Sequence, residues 1–80
     1  MGQKEKLLER IRNNPTNVRF EDLDKLLRWH GFECDGAEGS HYTYIHAVVD
    51  PITIPRAKPV KTHYVKAALA LLDQLRDLPE

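Results

Sequence analysis

GFECDGAEGSHYTYIHAVVDPITIP, residues 31–55, is the stretch on which the fold turns. Gly31 and Phe32 close a helical pattern, and after them the hydrophobic period drops from 3.6 to 2. Phe32-Glu33-Cys34-Asp35 alternates apolar and charged residues and reads as a first strand; Gly36-Ala37-Glu38-Gly39 reads as a turn. Ser40–His46 is rich in aromatic and β-branched residues and predicts a second strand. Tyr42, Tyr44 and His46 lie on one face of it, and His41, Thr43 and Ile45 on the other. Both faces carry apolar groups, so the pattern alone leaves open which one meets the rest of the protein. Ala47–Asp50 is a short connection. Pro51-Ile52-Thr53-Ile54-Pro55 is a third strand, placed at a sheet edge by the prolines at both ends.

On the N-terminal side, Phe20–His30 predicts a helix with Phe20, Leu23, Leu26 and Leu27 toward the core. Glu21, Asp22 and Asp24 suit its first turn, where the helix dipole favours negative charge. Arg19 is a poor N-cap, which moves the expected boundary toward Asn17. Gly31 followed by an apolar residue is the pattern of a Schellman stop. Further upstream, Gln3–Asn13 predicts a helix with a thin stripe of Leu7, Leu8 and Ile11, ended by Asn13-Asn14-Pro15 and packed as an appendage. On the C-terminal side, Arg56–Lys61 is an exposed basic loop. A last helix then spans Thr62–Asp77, with Val65, Ala68, Leu69, Leu72 and Leu75 at core spacing, before the tail Leu78-Pro79-Glu80.

Three strands joined by short turns are antiparallel, since a parallel return needs a dozen or more residues. The order helix, helix, three strands, helix therefore predicts a small two-layer α+β domain, with the helices on one face of a three-stranded antiparallel sheet. Eighty residues leave room for one core, so residues 1–80 are read as a single domain, 1–14 being the helical appendage and 15–78 the core.

Composition narrows the function classes. Hydrophobic residues at 41% exclude a disordered chain. A single cysteine, Cys34, cannot form an internal disulfide and fits a reducing compartment. No cationic start leads into an apolar stretch and no 18-residue apolar run exists, so a cytoplasmic protein with no membrane span is expected. The net charge is zero, yet Pro51–Leu72 holds no acid and carries Arg56, Lys58, Lys61 and Lys66. Such a segment on a neutral chain reads as a local anion site or, equally, as a solvated loop and helix start.

Asn17-Val18-Arg19-Phe20-Glu21-Asp22-Leu23, then Gly31-Phe32, then Gly39-Ser40-His41 heading an aromatic strand, resembles the HicA toxins. Pro55 and the helix entered through Lys58-Pro59-Val60-Lys61 continue the resemblance, which covers roughly residues 15–78. Gly-Ser-His alone is too short to be specific; its place between a Gly-Phe helix stop and a Pro-flanked strand gives it weight. The resemblance implies a double-stranded-RNA-binding-domain-like fold, here with an extra N-terminal helix. It also implies the toxin half of a type II toxin–antitoxin system, an endoribonuclease (mRNA interferase) whose active histidine is covered by a HicB antitoxin. His41 corresponds to that histidine, and Gly39 to the glycine before it.

Histidine suits removal of a ribose 2′-OH proton because its unperturbed pKa, about 6.5, lies near the working pH. Gly39 and Ser40 would let RNA approach the backbone, and Arg56, Lys58 and Lys61 would hold phosphates if their loop folds back toward the second strand. No metal and no cofactor is expected: one cysteine supplies no CxxC element, and His41 and His46 face opposite sides of a strand. Cys34 falls with Phe32 on the buried side. His30, in the last turn of a helix, suits a capping role; His46 and His63 carry no specific signal. Tyr42 and Tyr44 are either base-stacking platforms or plain core residues. Two other function classes stay open at this point, a non-catalytic RNA-binding module and a protein-interaction adaptor.

Overall fold

The computed structural model describes residues 2–78; Pro79 and Glu80 of the expected tail lie outside the described residues. The elements are α1 (Gln3–Asn13), α2 (Phe20–Trp29), β1 (Glu33–Glu38), β2 (His41–Ile45), β3 (Ile52–Pro55) and α3 (Thr62–Arg76). The strands form one antiparallel sheet in the order β1-β2-β3, so β3 takes the edge position its prolines favour. This is the α+β arrangement expected.

Tyr44 decides which face of the sheet is covered. It is fully buried, as is Ile54, and Tyr42, Cys34 and Ile52 pack against the same cluster. The cluster is completed by Leu23, Leu26 and Leu27 of α2 and by Val65, Ala68, Leu69, Leu71 and Leu72 of α3. Each fully buried Leu contributes roughly 1.5–3 kcal/mol relative to an exposed one. The helices therefore lie on the Tyr42/Tyr44 side; this removes the Tyr44 ring from base stacking, while Tyr42 stays half-buried against Phe20. The other face carries His41, Thr43, Ile45, Thr53 and Pro55. On it the Thr43 and Thr53 hydroxyls meet at 3.0 Å.

The stop of α2 follows the Gly31-Phe32 signal closely. Phe32 N–H donates to Leu27 O at 3.0 Å and Gly31 N–H to Arg28 O at 3.1 Å, the two bonds of a Schellman motif, with Gly31 at φ +93°. The start of α2 differs from expectation. Arg19 is the N-cap without a side-chain capping bond, and Asn17 is not. Val18 instead forms a β-bridge with Val60, whose N–H donates to Val18 O at 2.9 Å, and this keeps the backbone extended up to Arg19. A contact 42 residues away in sequence thus sets the boundary.

The stretch Gly36–Gly39, expected as a turn, is mostly strand. β1 runs on to Glu38, with Asp35 inserted as a bulge between Cys34 and Gly36, and the reversal is confined to Gly39 and Ser40. The thin stripe of α1 reaches the core after all: Leu7 and Ile11 are buried, and ion pairs Arg10–Asp22 and Arg12–Asp73 tie the helix to α2 and α3.

Candidate active site

The hairpin between β1 and β2 is built for a tight reversal. Glu38 and His41 are Cα partners, leaving Gly39 and Ser40 as a two-residue loop. Gly39 has φ +62° and among the described residues no non-glycine, Ser40 included, has positive φ, the pattern of a type II′ turn with glycine at its first central position. A Cβ at Gly39 would meet nothing within 4 Å, so the turn geometry and not local crowding requires glycine here. The space above it is open to a ligand.

His41 is the first residue of β2. It is exposed and shares the helix-free face with Thr43 and Ile45. Among the described residues its ring makes no hydrogen bond and no ion pair. Its Cα neighbours across the sheet are Glu38 on one side and Pro55 on the other.

The basic segment starts beside this turn. Arg56 N–H donates to Ser40 O at 2.6 Å, which brings Gly39, Ser40, His41 and the Arg56 backbone together. The Arg56 side chain, however, follows the pleat to the helix side. Its guanidinium lies 5.6 Å from the centre of the Phe20 ring and 3.6 Å from Glu21 Oε2. There the Tyr42 hydroxyl, and after it Glu21, push the guanidinium pKa further up. Lys58 lines a cleft of about 420 Å³ with Asn17, Arg19, Glu21 and Pro59, and Lys61 is the N-cap of α3. Of the expected phosphate-holding cations, Arg56 and Lys58 thus lie beside the start of α2, while Lys61 opens α3. Arg19, across the cleft from Lys58, was not singled out by sequence. Nor was Glu38, although Asp35-Gly36 is a bulge-compatible pair that carried the clue.

The remaining histidines have structural partners. His30 Nδ1 donates to Leu26 O at 2.9 Å, a bond within the last turn of α2. His46 accepts from Val48 N–H at Nδ1 (3.0 Å), donates from Nε2 to His30 O (3.0 Å) and stacks obliquely on Phe32. His63 packs on Tyr64. Trp29 is 39% exposed, with Lys25 Nζ 5.8 Å from its ring centre. Cys34 is half-buried against the core, its thiol 3.6 Å from Gly36 O. Beneath the site, Tyr44 donates to Asp24 Oδ1 at 2.5 Å, and burial first, then this bond, raises its pKa. Among the described residues no three His, Cys, Asp or Glu side chains gather as a metal site would require.

Comparison with known families matches residues 20–75 to the family described as HicA toxin of bacterial toxin–antitoxin systems. The chain belongs to the HicA toxin family. The match runs from the first residue of α2 into the last turn of α3, so it takes in the sheet, the Gly39–His41 turn and the basic segment, while α1 lies before it. The resemblance read from the sequence is thereby shown, and with it the toxin role in a toxin–antitoxin pair. No curated protein and no solved structure matched this HicA chain. No helix among its described residues is long and apolar enough to cross a membrane.

Proposed function

We propose that this HicA protein is a metal-independent endoribonuclease that cleaves mRNA with His41 as general base. The observation that carries the reading is an exposed imidazole on the helix-free face of the sheet, heading β2 beside an open glycine turn. In the proposed step, the 2′-OH of the ribose gives its proton to the neutral imidazole and the 2′-oxygen attacks the adjacent phosphorus. The 5′-oxygen of the next nucleotide leaves and is protonated by the imidazolium or by water. The products are a 2′,3′-cyclic phosphate and a 5′-hydroxyl. Gly39 and Ser40 let the RNA backbone lie close to the turn, and Arg56, Lys58 and Lys61, joined by Arg19, draw the flanking phosphates along the start of α2. General base catalysis by one group contributes about 10²–10⁴-fold, so slow turnover is expected.

The partner proposed is a HicB-type antitoxin that covers His41, and the compartment proposed is the cytoplasm, where its mRNA substrate is found. A single experiment tests the chemistry. Purified protein is incubated with a messenger RNA in excess chelator, and the product ends are analysed. The reading expects cleavage with 2′,3′-cyclic phosphate ends, blocked by 2′-deoxy substitution at the cut site. Tight RNA binding with no cleavage would favour a non-catalytic RNA-binding module instead.

A further inference from the structure

We propose that Glu38 is the positioning residue for His41, its carboxylate accepting the imidazole N–H that does not face the RNA. The inference deepens the ribonuclease reading and rests on it. Its basis is the register of β1 against β2. Glu33 faces Ile45 and Cys34 faces Tyr44; Asp35 is then inserted, and from Gly36 onward the pairing has advanced by one residue. Thr43 therefore faces Gly36, Tyr42 faces Ala37 and His41 faces Glu38. Had the first register continued, Ala37 would stand opposite His41 and no carboxylate would be there. Gly36 sits at φ +152°, a backbone conformation that L side chains rarely adopt, so the sequence provides the residue that the bulge requires. Bulges commonly re-aim a side chain next to an active site.

Directly opposed residues of an antiparallel pair share a face, with Cβ atoms about 4.5–5.5 Å apart, a span that a glutamate and an imidazole close together. Both residues are exposed, and among the described residues neither side chain is engaged by another hydrogen bond or ion pair. Among the described residues no Lys or Arg forms an ion pair with Glu38, and Glu33, at the far end of β1, stands opposite Ile45. The β3 neighbour of His41 is Pro55; Arg56 is turned toward Glu21; Ser40 and Thr43 flank His41 along the chain; the helices occupy the opposite face. Asp35, in the bulge, has no cross-strand partner. Glu38 and His41 are not hydrogen-bonded to each other in the free protein, and catalytic contacts of this kind commonly tighten only with substrate in place. A carboxylate on one ring nitrogen fixes the tautomer, leaves the other nitrogen free to take the 2′-OH proton, and stabilises the imidazolium that results.

A negative charge at this position also repels RNA, and that separates positioning from a merely structural role. Glu38→Gln is expected to lower kcat by about tenfold or more while leaving KM unchanged or reduced. A kcat within twofold of wild type would overturn the proposal. A second measurement needs no cleavage. Long-range ¹H–¹⁵N spectra at mildly alkaline pH are expected to show one dominant neutral tautomer of His41 in the wild type and a mixed population in Glu38→Gln. Identical tautomer populations would overturn the pairing whatever the rates. A Glu38-dependent tautomer in a wild-type protein that cuts no RNA would support the pair and overturn the ribonuclease reading instead.

Discussion

Replacing Tyr44 by phenylalanine removes one oxygen from the centre of the fold, and the structure sets the expected cost. The Tyr44 ring is fully buried, and its hydroxyl donates to Asp24 Oδ1 at 2.5 Å. Asp24 also receives Arg28 Nε at 3.1 Å and keeps 27% of its side chain in solvent. A hydrogen bond to a charged group contributes about 1.5–3 kcal/mol, and water that reaches Asp24 offsets part of the loss. Tyr44→Phe is therefore expected to destabilise by about 1.5 kcal/mol, or roughly 6–12 °C in Tm for a domain of this size. The pH dependence has a definite sign. Burial and the Asp24 bond raise the Tyr44 pKa above its ordinary value of 10.0, so the folded state disfavours the phenolate. The stability this contributes is intact below about pH 10 and is lost as the pH rises further. The gap between wild type and variant should then narrow above about pH 10. Thermal and urea denaturation followed by circular dichroism from pH 7 to 11 measure both effects. A Tm within about 2 °C of wild type at pH 7, or a gap that widens at high pH, would refute the reasoning.

Two further changes probe the frame that carries the turn. Gly31→Ala forces an L side chain to φ +93° and sets its Cβ 3.0 Å from His46 Nε2, so a loss of about 2 kcal/mol in urea unfolding is expected, smaller in a His46→Ala background. Arg12→Gln removes the nearer of two guanidinium partners of Asp73, whose pKa Arg12 lowers in the folded state, and leaves Arg76 at 3.6 Å. Because both side chains are about one-third exposed, the expected loss is only about 0.5 kcal/mol at pH 7, and it should shrink as the pH falls below the ordinary carboxylate range and Asp73 is protonated.

Much of this architecture was legible in the residues, and the parts that were not have identifiable causes. The Gly31-Phe32 stop, the Pro-bracketed edge strand and the apolar spacing of α3 are local signals, and the structure follows them. The covered face of β2 was undetermined because Tyr42/Tyr44 and Thr43/Ile45 are both acceptable core sets. Tyr44 wins through an acceptor, Asp24, that lies 20 residues away. The extent of β1 was hidden because Asp-Gly signals a turn as readily as a bulge. At the candidate site, the setting of Gly39-Ser40-His41 is what singles out His41 for the proposed role. The direction of Arg56 was not, since it depends on the pleat at the end of β3 and on the Glu21 and Phe20 that meet it. Glu38 becomes visible only once the register is known.

His41→Ala tests the central claim most directly. The ring is exposed and among the described residues makes no hydrogen bond or ion pair in the free protein, so the variant should unfold within about 0.5 kcal/mol of wild type and bind RNA about as well. Measured on the same messenger RNA, its cleavage rate should fall by about 10²-fold or more. A folded variant that cuts at the wild-type rate would contradict the account.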